Sequence, residues 1–558
     1  MKVNNNHFEF AANKIDIQRS SFKRPTQHKT TGNLGEIIPF YLEEVLPGDT
    51  IKLRTNTFIR TGTLIAPLMD NLYYDIYYFY VPLRIVWNHF KQFMGENDVS
   101  AWNQTTNYTI PQQIITPEEQ KKTKTGTTLF NYLTKSTTAM NENSITKNIS
   151  INELPLRAYY MICNEWFRNE NTKAPTLFTK EDKENTNIRY SDAPYIANKF
   201  KDYFTSALPA PQKGGSVLIP LGTEAPLKAS EELYKLENAK FFSDYNLPQD
   251  DTKAYAIGYG KDGNLATDTT KTFNIAGGDE KLNRTNIAVD LTRAVAATIN
   301  AQRLAFQTQK FLERDARGGT RYDEITKAHF GVYTSAERID IPEYLTGHRF
   351  AINIDQVLQT AETTNTSGEL KSPLGNTGGY SRTFDNGTSF TKSFVEHGYV
   401  LGVAVMRQEE TYTTAINKLF LRQNKLDFYW PEFANIGEQP ILTKETNLID
   451  ARNSGTEEMV FGYQEAWAEY RYSPSGCSGL LNPNAKNSLN YWILANNDLA
   501  PDTSINKDFT NANKENLNRA LAATSDATGC QYIVDFYTES TWTRPMPIYS
   551  IPGLIDHH

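Results

Sequence analysis

The sequence predicts a mainly β protein, an antiparallel sandwich with large loops, for which a jelly roll is the leading candidate. Strand-like segments concentrate in both terminal halves of the chain. Helices and long polar stretches lie between them, without a regular alternation of strand and helix. Aromatic residues make up 12% of the 558 residues, and such side chains favour strands and contact surfaces. Because strands from distant halves have to pack together, we expect one domain that carries an insertion.

The first segment, residues 1–36, is predicted to be a basic N-terminal arm, extended and partly disordered. Its first 30 residues hold six basic side chains and two acidic ones, a net charge of +4. Lysine and arginine on a flexible tether can neutralise phosphates without reading a base sequence. The candidate contacts to nucleic acid are Arg19, Lys23, Arg24 and Lys29. An arm that is solvated or that clasps a neighbouring subunit accounts for the same charges, and this alternative stays open.

Residues 37–220 are predicted to form the first part of the jelly roll, with helical excursions. Apolar and polar residues alternate at its start and break at Pro47-Gly48-Asp49, a sequence that forms turns. Residues 72–81 are almost continuously apolar, which is typical of a strand that is covered on both faces.

Apolar residues at helical spacing predict helices at 83–95, 154–170 and 295–317. The last of these is followed by Gly318-Gly319, where a helix is expected to end. The stretch 97–150 is rich in Asn, Thr and Lys, and we expect it to be a surface excursion.

Residues 221–290 differ in texture from their flanks, because Lys, Asp, Glu, Thr, Gly and Asn dominate and apolar positions are sparse. We expect a surface insertion there. Residues 291–558 are predicted to supply further loops and to complete the jelly roll. Their strand-like runs lie at 393–412, 459–474, 489–495 and 531–555.

Composition and charge exclude several classes of function. The net charge is -7, so the chain as a whole does not attract a polyanion. Cys163, Cys477 and Cys530 are too far apart in sequence for a zinc site or a redox dithiol, and they fit a reducing compartment. Apolar runs fall short of the ~20 residues that span a bilayer, and the start lacks the apolar centre of a secretory signal. We therefore expect no membrane insertion and a protein that stays in the cell that makes it.

No motif supports catalysis. The G-x-G-x-x-G sequence at 258–263 lacks the flanking strand and helix of a dinucleotide site and favours a hairpin turn. His329 and His348 lack metal-ligand spacing and are predicted to be structural. The pairs Glu43-Glu44 and Glu409-Glu410 lie in strand-like segments, where neighbouring side chains point to opposite faces. We predict no enzyme, and no catalytic, cofactor-binding or metal-binding residues.

The most specific signal is a series of stretches that follow one another along most of the chain. They are RSSFKRPTQHKTT (19–31), IIPFYLEEVLPGDTIKL (37–53), PLMDNLYYDIYYFYVPLRIVW (67–87), FMGEN (93–97), DYFTSALPAPQKG (202–214), ERDARGGTRYDE (313–324), HFGV (329–332), PEYLTG (342–347), DFYWPEFANIGEQP (427–440), FGYQEAWAEYRYSPS (461–475) and RPMPIYSIPGLIDH (544–557). In this order they resemble the major capsid protein of the gokushoviruses, tailless microviruses with circular single-stranded DNA. Ala210 departs from the family, in which an aromatic residue is common at that position.

The resemblance implies an eight-stranded jelly roll of the viral capsid type, whose long inter-strand loops form most of a small icosahedral shell with one copy per icosahedral unit. It implies that 221–290 is the variable loop that protrudes at the threefold axis and contacts the host. It also implies that the arm lies on the inner side of the shell, near the genome.

The partners implied in the same way are further copies of the chain, a weakly and non-specifically bound single-stranded DNA genome, and a host surface receptor. Phage scaffolding, DNA-escort and pilot proteins complete the set. The expected location is the virion, with synthesis and assembly in the cytoplasm of a bacterial host. Two alternatives share the fold class: a glycan-binding adhesin or lectin, and a jelly-roll enzyme with a metal or a pair of acids in a cleft.

Overall fold

The computed structural model describes residues 18–97, 107–136, 144–217, 227–229, 287–289, 299–360, 363–364, 370–372, 374–483, 485–496, 504–522 and 530–549. The chain divides into two compact units, one made of residues 1–213 and 313–558, the other of residues 214–312. In the second unit a short antiparallel ladder pairs Leu227–Ala229 with Ile287–Val289. Most of the predicted insertion, with its glycine motif at 258–263, lies outside the described residues.

The first unit is mainly β, with antiparallel sheets and several helices, as the sequence predicts. Nine strands of its described part build two large sheets. In chain order they are β1 (Ser20–Lys23), β2 (Thr26–Gly32), β3 (Ile38–Val45), β4 (Thr50–Thr61), β5 (Leu72–Pro82), β6 (Glu343–Ala351), β7 (Thr383–Ser393), β8 (Gly398–Gln408) and β9 (Tyr532–Arg544). The first sheet has the order β1/β2, β9, β4, β7, and the second has the order β6, β5, β8, β3. Every neighbouring pair is antiparallel.

Strands β1 and β2 act as one interrupted edge strand, because both pair with β9. The interruption falls at Arg24 and Pro25, and proline has no N–H to give to the ladder. The Arg24 N–H donates to the Ser540 carbonyl oxygen over 2.8 Å, so the pairing with β9 continues across the interruption. The expectation of a partly disordered arm is therefore wrong for residues 20–32, which the pairing with a long strand holds in place.

The predicted turn between β3 and β4 is confirmed. Gly48 has a φ of +90°, a conformation that glycine adopts without steric cost. The Asp49 carboxylate accepts a hydrogen bond from the Leu46 N–H over 2.9 Å and so closes the turn. The two strands it connects belong to different sheets.

Strand β5 is buried on both faces, as its continuous apolar sequence predicts. Tyr74, Ile76 and Tyr78 point into a core cluster that also contains side chains of the first sheet. Phe79 and Val81 point the other way, into a second cluster built mainly by helices. The second sheet therefore lies between the first sheet and a helical layer.

The two sheets face each other across an aromatic core. The rings of Phe40 on β3 and Phe536 on β9 stack with their centroids 4.0 Å apart. The Tyr78 hydroxyl on β5 lies 2.6 Å from the Thr55 hydroxyl on β4, which satisfies two buried polar groups at once. The burial of large aromatic side chains from both sheets is the main contribution to the free energy that holds the two sheets together.

The helical layer is centred on the helix Leu154–Ile162, which continues as a π-helix at Cys163–Phe167. It packs with Leu129–Thr134, a helix that buries Leu129, Phe130 and Leu133. The expectation that 97–150 is only a surface excursion is therefore wrong for this helix. The helix has only a short run of apolar residues within a long polar stretch, so the sequence pattern does not indicate it.

The other elements lie in the connections, and all but the 20-residue helix Ile299–Gly318 are short. One predicted strand, at 489–495, is wrong, because Asn490–Trp492 forms a 3₁₀ turn. The other α-helices with described side chains are Leu83–Val86, Phe90–Phe93, Pro117–Thr123, Ile299–Gly318, Tyr322–Phe330, Thr443–Thr446, Leu448–Ser454, Lys507–Thr510 and Glu515–Asn518. Two-stranded ladders pair Gln112–Ile115 with Ile149–Asn152, Ile354–Leu358 with Thr377–Ser381, Thr363–Thr364 with Leu370–Ser372, Thr411–Tyr412 with Ser475–Gly476, and Glu438–Leu442 with Val460–Glu465.

Candidate nucleic-acid and assembly surfaces

The four basic residues predicted to contact nucleic acid lie at or just before the edge strand β1/β2. Side chains along a strand alternate between its two faces. Lys23 and Lys29 are exposed and point away from the sandwich core, whereas Arg24 is half-buried. Arg19 donates a hydrogen bond to the Gly48 carbonyl oxygen at the turn between β3 and β4.

Arg24 contacts residues of both sheets of the sandwich. One of its guanidinium nitrogens lies 2.8 Å from a carboxylate oxygen of Glu43, which belongs to β3 of the opposite sheet. The guanidinium also lies 5.2 Å from the centre of the Trp542 ring, and Arg544 flanks the same ring at 4.3 Å. Arg24 thus joins the edges of the two sheets. Of the four predicted residues, Lys23 and Lys29 are the ones that the fold presents outward on the strand.

The sequence reasoning missed three further cations on the same side of the first sheet. Lys52, Arg54 and Arg60 are exposed residues of β4 and point away from the core. In the sequence of β4 these cations alternate with apolar residues, and this alternation predicts that they point away from the core. It could not show that β4 and the arm belong to one sheet, because β9 at the other end of the chain separates them.

His28 on β2 is half-buried, and among the described residues its Nε2 atom has no hydrogen-bond partner. Burial, and to a smaller extent the Lys135 ammonium, lower the pKa of His28 to about 4, and Asp535 opposes both. The unfolded chain holds this proton with a pKa near 6.5. Between these values the unfolded state binds more protons, so the contribution of His28 to stability is lost as the pH falls.

We expect the urea midpoint of the subunit to drop more between pH 7 and pH 4.5 in the unmodified protein than in His28→Gln, which cannot titrate. Buried acids whose pKa is raised, such as Glu410 and Glu445, act in the opposite direction in both proteins, so the difference between the two isolates His28. Equal drops in midpoint for the two proteins would contradict this assignment.

The two histidines considered as metal ligands lie beside aspartates, and one member of each acid pair contacts a cation, Glu43 through Arg24 and Glu410 through Lys199. His329 and His348 lie 2.8 and 3.1 Å from Asp315 and Asp385. Glu410 is buried against Lys199 at 3.2 Å, whereas its neighbour Glu409 is exposed. Within the described part of the chain, no three His, Cys, Asp or Glu side chains are grouped so that they could hold a metal ion.

A second surface feature is the loop patch, defined as residues 419–436 together with Tyr470 and Tyr472. It concentrates large exposed apolar side chains, with Phe420 73% and Leu426 64% exposed. The others are Leu419, Phe428, Tyr429, Trp430, Phe433 and Ile436. Apolar patches of this kind mark protein contact sites, and interfaces are enriched in aromatic residues.

The loop patch is held in a defined conformation by its own contacts. The Trp430 indole N–H donates to the Lys425 carbonyl oxygen over 3.0 Å, and the Trp467 indole N–H donates to the Phe433 carbonyl oxygen over 2.9 Å. The Arg422 guanidinium lies 4.5 Å from the centre of the Tyr470 ring. A surface that is ordered before binding loses less entropy when a partner covers it.

Two ion clusters centred on fully buried carboxylates lie in the second sheet and in the helical layer. Asp75 on β5 is fully buried, and its carboxylate accepts from Arg349 on β6 over 2.7 Å and from Arg407 on β8 over 3.0 Å. Because Asp75 contacts both arginines, these contacts fix the register of β5 relative to its two neighbours, β6 and β8. In the helical layer, Glu153 and Arg157 are both fully buried and pair over 2.7 Å.

A two-sheet sandwich that presents a basic sheet face and exposed aromatic loops is typical of a protein that works through contacts with other macromolecules. The chain matches the family model for capsid protein (F protein) over residues 11–554. It is 37% identical over 546 residues to capsid protein VP1 of Bdellovibrio phage phiMH2K, an alignment that covers 97% of this chain and 96% of the relative. Capsid protein VP1 of Spiroplasma virus 4 is 34% identical over 554 residues, and that of Chlamydia phage 1 is 32% identical over 597; each alignment covers 96% of both chains.

The chain therefore belongs to the capsid protein (F protein) family, and the predicted resemblance to the gokushoviruses is confirmed. It is a structural, non-enzymatic major capsid protein that assembles into an oligomeric shell and is part of the virion. In the described ranges no helix has the length and apolar content needed to cross a membrane.

Proposed function

We propose that this chain builds a small icosahedral shell around a circular single-stranded DNA genome, and that its two large sheets form an eight-stranded jelly roll. The order of the strands carries the proposal. With β1 and β2 counted as one edge strand, four strands form each sheet. Jelly rolls of eight strands in two sheets, built from two Greek keys, are a common architecture of viral capsid proteins.

The connections support the jelly roll. Along the chain, consecutive strands change sheet at every connection except one, the connection from β5 to β6. Those two strands are neighbours in the second sheet. Their connection, residues 83–342, contains the helical layer and the predicted insertion. Long inter-strand loops are thus available to form the shell around a small sandwich.

The contact between copies is proposed to use the loop patch. Its aromatic side chains are exposed in the single subunit, and its conformation is already fixed. A closed shell requires each subunit to present several such surfaces, with the rotation between copies leading to closure. Stable contacts of this kind bury on the order of 1,200 to 2,000 Å².

The outward insertion at 221–290 is proposed to contact a host surface receptor. Its sparse apolar content supports this role, as does its place within a compact unit distinct from the one that contains the sandwich. Replacement of residues 225–288 by a short Gly-Ser linker should leave particle yield unchanged and abolish adsorption to host cells. Failure of the shortened chain to fold would show that the insertion is structural.

Assembly is proposed to take place in the cytoplasm of the bacterial host, with phage scaffolding, DNA-escort and pilot proteins as partners. The genome is held by weak, non-specific contacts, since the chain is acidic overall. Among the predicted contacts Arg19, Lys23, Arg24 and Lys29, the outward position of Lys23 and Lys29 supports these two best. The test is the amount of nuclease-protected DNA in purified particles, and particles without DNA would overturn this part of the proposal.

A further inference from the structure

We propose that the outer face of the first sheet binds single-stranded nucleic acid, with β4 as its principal source of cations. The outer face is defined as the side chains of β1, β2, β4, β7 and β9 that point away from the sandwich core. The inference deepens the proposed function, on which it rests, because the ligand is of the same class as the packaged genome. It moves the centre of the site from the arm to the middle of the sheet.

The register of the sheet places two of the basic residues in one row across the strands. Lys23 on β1 and Lys52 on β4 lie opposite the same residue of β9, Thr541. Adjacent strands lie ~4.8 Å apart, so these two lysines are about 10 Å apart across the sheet. Along β4, the rise of ~3.4 Å per residue places Arg60 about 27 Å from Lys52. The cations thus spread over an extended area.

The outer face is basic although the chain is acidic. Its strands present Lys23, Lys29, Lys52, Arg54 and Arg60 against Asp535 and Glu539, five bases and two acids, a net charge of +3. The whole chain has a net charge of -7. A local excess of positive charge, on a protein whose net charge is negative, is complementary to a phosphate backbone.

Among the described residues, most of these cations have no side-chain ion pair. Lys29 lies 3.5 Å from Asp535. With the other described residues, the side chains of Lys23, Lys52, Arg54 and Arg60 form neither a hydrogen bond nor an ion pair. Phosphates can therefore displace the counterions of these four side chains without breaking an ion pair of the fold, and this release of counterions drives binding.

Exposed aromatic and apolar side chains share this face with the cations. Phe384 is 64% and Ile533 61% exposed, and Tyr537 is also exposed in the middle strand β9. Phe58 lies on the same face, and the Arg60 guanidinium is 5.3 Å from the centre of its ring. Proteins that bind single strands combine a basic surface with aromatic rings on which unpaired bases stack. A duplex keeps its bases stacked inside and cannot use these rings, so the surface fits a single strand.

A second copy of the chain is the competing occupant. Two outer faces that met around a twofold axis would bring the net positive charges of both together, which disfavours this contact. A polyanion gains from the same charges. The charge on the face therefore favours nucleic acid.

The test measures binding of a fluorescent oligo(dT) to the full-length subunit as a function of salt. The variant replaces Lys52, Arg54 and Arg60 by Gln, and the control replaces Lys91, Lys121 and Lys122, three exposed lysines elsewhere, with the same change in net charge. We expect the first variant to lose at least tenfold in affinity. The slope of log K against log salt should fall in magnitude by about 2, since each phosphate contact to a single strand contributes ~0.7. The control should stay close to the unmodified protein, and equal losses in both variants would overturn the proposal.

A second variant separates stacking from charge. Tyr537→Ser leaves all cations in place, so affinity should fall severalfold while the salt slope is unchanged. A duplex of equal length should compete weakly against oligo(dT). If the triple Gln variant stopped shell assembly but still bound oligo(dT) normally, the face would be a contact between copies and the proposal would be wrong.

The DNA content of particles distinguishes this inference from the proposed function. Particles of the unmodified protein that contain no DNA would contradict the proposed function. Unmodified particles that contain DNA, beside triple-variant particles with the same content, would contradict only the role of the outer face.

Discussion

Replacement of Phe420 and Leu426 together by serine is expected to abolish shell assembly and to leave the subunit folded. Both side chains belong to the loop patch and are largely exposed, so their removal costs the isolated subunit about 0.5 kcal/mol or less. Burial of each in a contact with another copy contributes about 1.5 to 3 kcal/mol. Loss of both weakens every such contact by a factor of about 100 or more.

The measurement is the yield of particles on a density gradient, beside the circular dichroism and melting temperature of the subunit. The matched control replaces Leu177 and Val395 by serine, two exposed apolar residues outside the loop patch, of which Val395 is 84% exposed. We expect the control to assemble. Normal yield from the Phe420 and Leu426 variant would exclude the loop patch as a contact between copies.

The second large effect is expected for Arg157→Met. The Arg157 guanidinium donates two hydrogen bonds to one Glu153 carboxylate oxygen, over 2.9 and 2.7 Å, and both side chains are fully buried. The same carboxylate accepts from the backbone and side chain of Asn185 and from Gln113. Removal of the arginine leaves a buried charge without its cation, which costs about 3 to 5 kcal/mol.

The loss is measured as a shift in the urea midpoint of the subunit, followed by tryptophan fluorescence. Lys444→Met is the control, because it removes a cation from an ion pair whose partner, Glu458, is mostly exposed, and such pairs contribute about 0 to 1 kcal/mol. Glu153→Gln combined with Arg157→Met should recover part of the stability, since no uncompensated charge remains. A loss below 1 kcal/mol for Arg157→Met alone would mean that the cluster does not hold the helical layer in place.

The sequence predicts the strands well where burial alone determines their pattern. The continuous apolar run of β5 indicates cover on both faces, and the structure places aromatic core on one side and helices on the other. The turn at Gly48 follows from local chemistry alone. The prediction fails at Asn490–Trp492, where an apolar run forms a 3₁₀ turn, because apolar composition does not by itself distinguish a strand from a packed loop.

The candidate site is predicted only in part, because strand pairing that is distant in sequence brings its residues together. Lys23 stands out in a basic segment, whereas Lys52 lies in an ordinary alternating strand. The two share a face only because Thr541, near the other end of the chain, pairs with both. Arg24 shows the opposite limitation: its charge suggested a ligand contact, and its contacts with Glu43 and Trp542 give it a structural role. Neither the shared face of Lys23 and Lys52 nor the contacts of Arg24 can be inferred from local sequence.

Electron microscopy of the particles that form when the chain is expressed with the neighbouring genes of its phage tests whether this chain builds the shell through its two large sheets. We expect uniform particles of icosahedral outline whose main protein has a mass of 63.3 kDa. Density for the shell should contain the two four-stranded sheets in each repeating unit. A main shell protein other than this chain, or density in which the two sheets cannot be placed, would contradict this expectation.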